Sequence, residues 1–309
     1  MKLLLLSDTH GHLDIINEYV HKTHPDFVIH AGDFGFYTPE SIPRLRRGDL
    51  VNILRHDPNY RKMGAPVITK DVLRDDLNQM AMDCHAYGDF VDYYVGRKQF
   101  DAPVIAIHGN HSDPVILRNS LGKIHNLYIL SLSGGYPLNG AYIFGLGGVL
   151  GRKGMLHQLA EPVPELHGQL WANFSQLARI ATSLRVASIM PSILVSHASP
   201  DMEPILTAMA NLGNVPFTVS GHMHYPHHKI WEATSEELEA GIKQIEEFRT
   251  LFPQLQWDLF IPDGPPKKIT HINLMLAADG YVVVDFNVNG KLEVDWSISE
   301  IYERNESNV

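Results

Sequence analysis

Histidine and aspartate side chains gather at a few short places in this 309-residue chain. The densest is GHMHYPHH at residues 221–228, which holds four of the 18 histidines. His222 and His224 share an i, i+2 spacing with Asp8 and His10, near the start of the chain. Alternate residues of an extended backbone point the same way, so each pair is expected to offer two donors to one site.

Donors of this kind occur in five segments, each directly after a run of apolar residues. They are Asp8 and His10, Asp33, Asn110 and His111, His197, and His222 and His224. One such residue at a strand end is usually a helix cap or a hydrogen-bonding group, but that explanation does not account for all five. Nitrogen and oxygen donors without cysteine suit Mn, Fe, Zn, Co or Ni. Two neighbouring divalent cations repel each other, so a carboxylate usually bridges them while the other donors divide between the two sides. A set of carboxylate, amide and imidazole donors of this size therefore predicts a pair of divalent ions.

Glycines accompany three of the donor segments, as Gly32, Gly109 and Gly221. Glycine lets the backbone turn sharply and lets a neighbouring group come close. These glycines therefore fit a crowded site. His227 and His228 follow a proline and are expected at the rim of the site or in solvent.

The elements that position these donors are predicted strands with polar ends. KLLLLSD and DFVIHAGD indicate buried strands, and HLDIINEYVHKTH between them has the apolar spacing of a helix. This β-α-β opening places Asp8 and Asp33 at the carboxyl ends of neighbouring strands, where open α/β sheets bind ligands. APVIAIHGNH, SILVSH and VPFTVSGHMH repeat the pattern of an apolar run and a polar end.

The rest of the chain predicts one domain over residues 1–309, with a mostly helical insertion at about 37–101. A hairpin is expected around Asn139-Gly140, and ELHGQLWANFSQLARIATSLR has helical periodicity. A helix-plus-hairpin part is expected at about 232–300. Thr234 and Glu237 form a capping box at the start of its helix, and Asp-Gly and Asn-Gly turns predict two hairpins after it.

The segments SDTHGH, AGDFG, IHGNH, LVSHASP and SGHMH, in this order, resemble the calcineurin-like metallophosphoesterases. The resemblance implies an α/β fold, a four-layer α/β/β/α sandwich of two mixed sheets, with a binuclear metal centre at one sheet edge. It also implies the ligands: Asp8, His10, Asp33 and His224 for one ion, and Asp33, Asn110, His197 and His222 for the other.

The same resemblance implies a phosphoesterase mechanism in which a hydroxide that bridges two divalent ions attacks phosphorus. Asp33 and His111 are the expected catalytic residues: Asp33 would bridge the ions, and His111 would lie beside the phosphate. Imidazole changes its charge near neutral pH, so His111 could stabilise developing charge or protonate the leaving alkoxide. The expected substrate is a small phosphodiester or nucleotide.

The sequence departs from the family's usual pattern at two places. Ser112 stands where relatives carry the acid that orients the histidine, and Asp113 comes one position later. The Asp-Arg-Gly extension of protein phosphatases is missing, since the chain reads GDFGFYTPE, and a protein phosphatase is therefore not expected. Arg152 and Lys153, together with Asn110, are candidate substrate contacts, although a solvated basic loop explains the first two equally well.

Several alternative functions remain open. A phosphomonoesterase is the nearest one. The insertion has a weaker similarity to the lariat debranching enzymes, which hydrolyse 2′,5′-phosphodiesters in RNA but commonly carry a cysteine where this chain has Asp8. A net charge of −10 does not favour a nucleic-acid partner. A silent metal-binding scaffold would be expected to have lost ligands, and a metal store would leave His111 unexplained.

The cysteine content and the lengths of the apolar runs indicate the cellular compartment in which the protein is expected. Cys84 is the single cysteine, which excludes an internal disulfide and fits a reducing compartment. The apolar start, four leucines before Ser7, is too short for a signal peptide. No later run reaches the roughly 18 apolar residues that span a bilayer. A soluble, cytoplasmic protein without a membrane partner is expected, and the oligomeric state is left open.

Overall fold

Two six-stranded sheets form the centre of the computed structural model. It describes residues 1–64, 67–130, 135–138, 141–150, 165–166, 169–170, 180, 192–212, 215–251, 253, 268–286 and 292–298.

The first sheet has the strand order β14-β13-β1-β2-β3-β4. Strands β1 to β4 run parallel, and β13 and β14 add antiparallel pairs at one side, so the sheet is mixed. Its strands are β1 (Lys2–Leu6), β2 (Phe27–His30), β3 (Val104–Ala106), β4 (Leu127–Ile129), β13 (Gly280–Phe286) and β14 (Leu292–Ile298).

The second sheet has the order β11-β12-β10-β9-β6-β5, with four parallel central strands and antiparallel pairs at both edges. Its strands are β5 (Gly135–Leu138), β6 (Ala141–Leu146), β9 (Ser192–Ser196), β10 (Phe217–Ser220), β11 (His227–Glu232) and β12 (Lys268–Asn273). Strands β7 (Glu165–Leu166) and β8 (Gln169–Leu170) form a separate two-stranded ladder.

Strand β1 shows how the layers are built, because its leucines alternate between two cores. Leu3 and Leu5 belong to the core between the two sheets, whereas Leu4 and Leu6 pack towards helix α1 (Asp14–Thr23). A strand buried on both faces needs a continuous apolar run, and KLLLL supplies it.

Helices cover the outer face of each sheet. On the first sheet lie α1, α5 (Phe90–Tyr94) and α6 (Pro114–Asn119). On the second lie α7 (Pro204–Leu212) and α8 (Ser235–Leu251). The predicted four-layer sandwich of two mixed sheets is confirmed. None of the helices in the described part of the chain has the length and hydropathy that crossing a bilayer requires.

Between β2 and β3 the chain forms a short 3-10 turn and four helices, of which α5 is the last. The turn is Ile42–Arg44, and the other helices are α2 (Arg47–His56), α3 (Pro58–Lys62) and α4 (Arg74–Asp83). They enclose an apolar cluster of their own, which includes Leu50, Leu54 and Leu77. The segment also contacts the start of α1, because the Asp89 carboxylate accepts the Leu13 N–H at 2.6 Å and the Asp14 N–H at 3.0 Å.

The hairpin predicted at Asp279-Gly280 is wrong, because β12 and β13 belong to different sheets. The connecting chain crosses between the sheets: Leu274 N–H donates to the Ser220 carbonyl at 2.8 Å, and Ala277 N–H donates to the Ser7 carbonyl at 2.9 Å. The antiparallel pair β13–β14 matches the Asn-Gly hairpin prediction. The other predicted hairpin is only partly right, because β6 pairs with β5, which comes from the predicted turn, and the preceding β-rich run forms β4 of the first sheet. The start of the helix predicted from Glu165 is replaced by the β7–β8 ladder, and most of its remainder lies outside the described residues.

Candidate metal centre

The predicted ligands lie together where the carboxyl edges of the two sheets meet. The first sheet contributes the residues after β1, β2 and β3, and the second sheet those after β9 and β10. The seven are Asp8, His10, Asp33, Asn110, His197, His222 and His224, of which the first five are buried. Buried charged groups are normally paired with one another or bound to a metal, so a buried cluster of carboxylates and imidazoles of this kind fits a bound cation. Coordination of a metal by these residues stays a prediction.

One half of the site surrounds the Asp8 carboxylate. Asp8 Oδ1 lies 3.0 Å from His224 Nε2 and 4.0 Å from His10 Nε2. Donor atoms of Asp8, His10 and Asp33 lie within 4.8 Å of one another. These distances allow the donors to close around one divalent ion with small movements.

The other half surrounds His197, which reaches the site from β9. Its Nε2 lies 2.8 Å from Asn110 Oδ1 and 3.5 Å from Asp33 Oδ2. Its Nδ1 lies 2.9 Å from the Ala31 carbonyl, to which it donates. Such an outer hydrogen bond fixes the ring and leaves the inner nitrogen for a metal. The His222 ring lies 4.9 Å from that of His197. Because an Asp33 oxygen also lies within 4.8 Å of the Asp8 and His10 donors, the Asp33 carboxylate adjoins both halves of the site.

The backbone at the site is left-handed at five of the seven predicted ligands. The φ angles are 57° at Asp8, 46° at His10, 49° at Asp33, 66° at His222 and 53° at His224. The i, i+2 pairs therefore converge through this backbone, and the expectation of an extended chain is wrong. A left-handed residue other than glycine costs about 1–2 kcal/mol. Strain of this kind concentrates at functional sites.

Glycines make room for these side chains, as predicted. At Gly109 an added Cβ would lie 2.0 Å from Asp33 Oδ1, and at Gly32, whose φ is +103°, it would lie 2.2 Å from His197 Nδ1. No side chain fits at either distance, so the close approach of the ligands depends on glycine.

Burial and the neighbouring charges shift the pKa values of Asp8, Asp33 and His197 in opposite directions. Burial alone would raise the pKa of Asp8 and of Asp33, but His224 and His197 respectively hold both pKa values well below their usual range. Burial lowers the pKa of His197, yet Asp33 raises it to about 9. Burial lowers the pKa of His222 to about 4. Two ionised carboxylates and a neutral imidazole are thus already in the forms that bind cations.

An unsatisfied nitrogen tests whether a metal fits here. Within the described residues, His10 Nε2 is buried and has no hydrogen-bond partner. A divalent ion would satisfy it, and the surrounding oxygen and imidazole donors suit such an ion. The single cysteine, Cys84, is not one of these donors, because it belongs to the apolar cluster of helices α2 to α4. The residues present therefore fit the metal that the sequence predicts.

His111 lies at this edge with a defined orientation. Its backbone N–H donates to Asp33 Oδ1 at 2.8 Å, and Asn110 Nδ2 donates to its Nε2 at 3.0 Å. The carboxylate of Asp113 is used elsewhere: Oδ1 accepts the Val115 N–H at 2.9 Å as the cap of α6, and Oδ2 pairs with Arg44. The hydrogen bond to the His111 ring thus comes from Asn110, while Asp113 caps α6 and pairs with Arg44.

Sequence reasoning missed His56, the last residue of α2. Its ring stacks on that of His10 with centroids 4.3 Å apart, and it lies edge-on to His224 at 4.9 Å. Burial lowers its pKa to about 4. No motif marks His56, because its place depends on how the helices between β2 and β3 pack on the site.

Of the other predicted residues, Arg152 and Lys153 fall outside the described residues. The His227 ring is half-buried against His271, with centroids 5.2 Å apart, and its Nε2 lies 3.8 Å from Asp201 Oδ2. His228 is exposed, in agreement with its expected place in solvent, whereas His227 is partly covered by His271.

Comparison with known proteins now adds to this geometry. Residues 1–226 match the family model for the calcineurin-like phosphoesterases. YfkN from Bacillus subtilis, a calcineurin-like phosphoesterase, is 11% identical with a TM-score of 0.44, and the alignment covers 98% of this chain and 91% of that one. A metallophosphoesterase from Sphaerobacter thermophilus is 12% identical with a TM-score of 0.33, covering 100% and 95%. No curated protein matches in sequence. Since the family model spans well over half of the chain, this protein belongs to the calcineurin-like phosphoesterases and is a metal-dependent hydrolase of phosphoric esters.

Proposed function

We propose that this protein hydrolyses a phosphodiester of the nucleotide type with a pair of divalent ions drawn from Mn, Fe, Zn, Co and Ni. The observation that carries the proposal is the position of Asp33, whose carboxylate adjoins His197 at 3.5 Å and the group of Asp8 and His10. When bound, two ions would supply a bridging hydroxide as nucleophile and neutralise the phosphoryl oxygens.

The protein's own part is to hold the donors in place. Asp8, His10 and His224 form one set, Asn110, His197 and His222 form the other, and Asp33 is shared. The left-handed backbone and the close glycines fix these positions, so few donors need to move when an ion or substrate arrives. Such preorganisation favours a transition state over a loosely bound substrate.

His111 is the proposed general acid for the leaving alkoxide. It is only 9% exposed, and both Asp33 and Asn110 orient it. A positioned general acid typically contributes about 10²–10⁴ in rate. Substrates whose leaving group needs no proton should lose less when His111 is replaced.

Two observations support a singly charged diester over a monoester dianion. Phe34 and Phe36, which follow Asp33, are fully buried in the core, so no cationic side chain extends from those positions. Arg44, near the His111 loop, is paired with Asp113. An additional negative charge on the substrate would find no free arginine at these places.

The test is the ratio of Mn²⁺-dependent hydrolysis of bis-p-nitrophenyl phosphate to that of p-nitrophenyl phosphate, with His222→Ala as the blank. A ratio well above one that disappears in the variant supports the diesterase. A ratio well below one replaces it with a monoesterase. If wild type hydrolyses neither ester faster than His222→Ala with any of Mn, Fe, Zn, Co and Ni, the conclusion is reduced to metal binding.

The part of His111 is tested separately with His111→Ala on two diesters. We expect a loss of about 10²–10⁴ on a 3′,5′-cyclic nucleotide, whose leaving group is an alkoxide. A much smaller loss is expected on bis-p-nitrophenyl phosphate, because p-nitrophenolate leaves without a proton. Equal losses on both substrates would argue against the general-acid role.

A further inference from the structure

We propose that His56 is an additional protein ligand of the ion held by Asp8, His10 and His224, an inference that rests on the metal centre of the proposed function. Helix α2 supplies this ligand, whereas all the others follow strands. The site would then hold one ion with more protein donors than the other.

The geometry of three imidazoles carries the inference. One ring nitrogen each from His10, His56 and His224 lie within 4.8 Å of one another. Two nitrogens bound to one ion at about 2.1 Å can be at most about 4.2 Å apart. The three donors therefore need to close by some tenths of an ångström, and the nearly parallel rings of His10 and His56 need to tilt so that one ion lies in both ring planes.

Two of these three histidines have an unsatisfied nitrogen. In the part of the chain that the structure describes, His10 Nε2 and His56 Nδ1 are both buried without a hydrogen-bond partner. Leaving a buried polar atom unpaired costs about 1–3 kcal/mol. An ion shared by the stacked rings of His10 and His56 would remove that cost, whereas a purely structural stack would not.

The neighbouring residue, Asp57, anchors His56 in this position. Asp57 is fully buried, and its Oδ2 lies 2.9 Å from Nε2 of His12, in the same loop as His10. Its Oδ1 accepts the Tyr60 N–H at 2.6 Å and so caps α3. The corner between α2 and α3 thus lies against the loop that carries His10, next to His56 in the chain.

With His56 as a donor, the two ions would have different numbers of protein ligands. The ion near His56 would have Asp8, His10, Asp33, His224 and His56 around it, and the other would have Asp33, Asn110, His197 and His222. More protein donors leave fewer positions for water or substrate. The first ion would therefore be held more tightly, and the substrate would meet the second ion first.

The test is calorimetric titration of the metal-free chain with Mn²⁺, comparing wild type with His56→Phe and His56→Ala. The Phe variant keeps a ring stacked on His10 but has no nitrogen, so it separates ligation from packing. His125→Ala, at an exposed position, is the matched control. We expect one of two Mn²⁺ affinities to fall at least tenfold in both His56 variants, with the second affinity and the control unchanged.

The position of the ion is then read from anomalous scattering of Mn²⁺-loaded crystals. A His56 nitrogen within bonding distance of an ion supports the inference. Affinities within threefold of wild type in both His56 variants, or an ion far from both His56 nitrogens, would overturn it and leave the proposed function intact. A wild-type chain that binds fewer than two ions would instead overturn the proposed function.

Discussion

Replacing Gly109 by alanine tests whether the close approach of backbone and ligand is needed for metal binding. The new Cβ would lie 2.0 Å from Asp33 Oδ1 and 2.2 Å from Asp33 N, whereas ordinary contacts begin at 3.4 Å. The carboxylate would therefore have to move by about 1.4 Å, and the backbone nitrogen cannot rotate away. The movement would also break the hydrogen bond from His111 N–H to Asp33 Oδ1.

The expected magnitude follows from these distances. Inserting one methyl group into a packed region costs about 1–3 kcal/mol of stability. A misplacement of about 1 Å at a reacting centre can cost roughly 10²-fold in rate. We therefore expect Gly109→Ala to fold with a lowered melting temperature, to bind fewer than two ions per chain, and to lose at least 10²-fold in Mn²⁺-dependent turnover.

The assay combines three measurements: metal content after gel filtration, thermal unfolding with and without Mn²⁺, and diester hydrolysis. Gly48→Ala is the matched control, because nothing lies within 4 Å of its Cβ and alanine favours a helix by up to about 1 kcal/mol. Wild-type metal content and turnover in Gly109→Ala would refute the reasoning. An equal loss in Gly48→Ala would mean that the effect is not specific to the site.

Three further predictions follow. Asp33 raises the pKa of His197 to about 9, and His197 must lose its Nε2 proton to bind an ion. Metal affinity should therefore rise with pH up to about 9, and metal binding at pH 7.5 should release at least one proton. Calorimetry in buffers of different ionisation enthalpy measures this release, and a value of zero would contradict the prediction. Burial raises the pKa of Glu203 to about 7, so its folded carboxyl holds a proton more tightly than the unfolded one, and stability present below pH 4.5 is lost as pH rises through 7. Glu203→Gln should accordingly stabilise the metal-free chain by about 1–2 kcal/mol at pH 8 and by nothing measurable at pH 4, as urea unfolding would show. Thr234→Ala should remove the capping box, in which the Thr234 N–H donates to Glu237 Oε2 at 2.7 Å and the Glu237 N–H donates to Thr234 Oγ1 at 3.2 Å. The unfolding free energy should fall by about 1 kcal/mol with turnover unchanged, and an unaltered urea midpoint would argue against this.

Much of the fold could be predicted from local sequence because the strands at the centre are buried on both faces. KLLLL and SILVS are continuous apolar runs, and each is followed by polar donors that parallel strands carry to one edge. Capping at Thr234 is equally local, since its two hydrogen bonds join residues three positions apart. Such features need no knowledge of the distant chain.

Other features depend on pairing between distant parts of the chain and could not be predicted. Asp279-Gly280 has the signature of a hairpin turn, but Val282 and Val284 are buried between the sheets, and β13 pairs with β1 in the first sheet. His56 reaches the site at the end of α2, where its ring contacts His10 and His224 and the next residue, Asp57, lies 2.9 Å from His12. The left-handed backbone at the ligands was also not expected, since a motif shows which residues converge and not how the chain turns.

The division of the ligands between two sheets bears on how the protein folds. Asp8 and His224, which meet at 3.0 Å, are 216 positions apart in the chain. Closing a loop of that length comes late, after each sheet has formed most of its local contacts. Ions bound at this place would therefore hold the two sheets together in the folded molecule, and their effect is expected in slower unfolding rather than in faster folding.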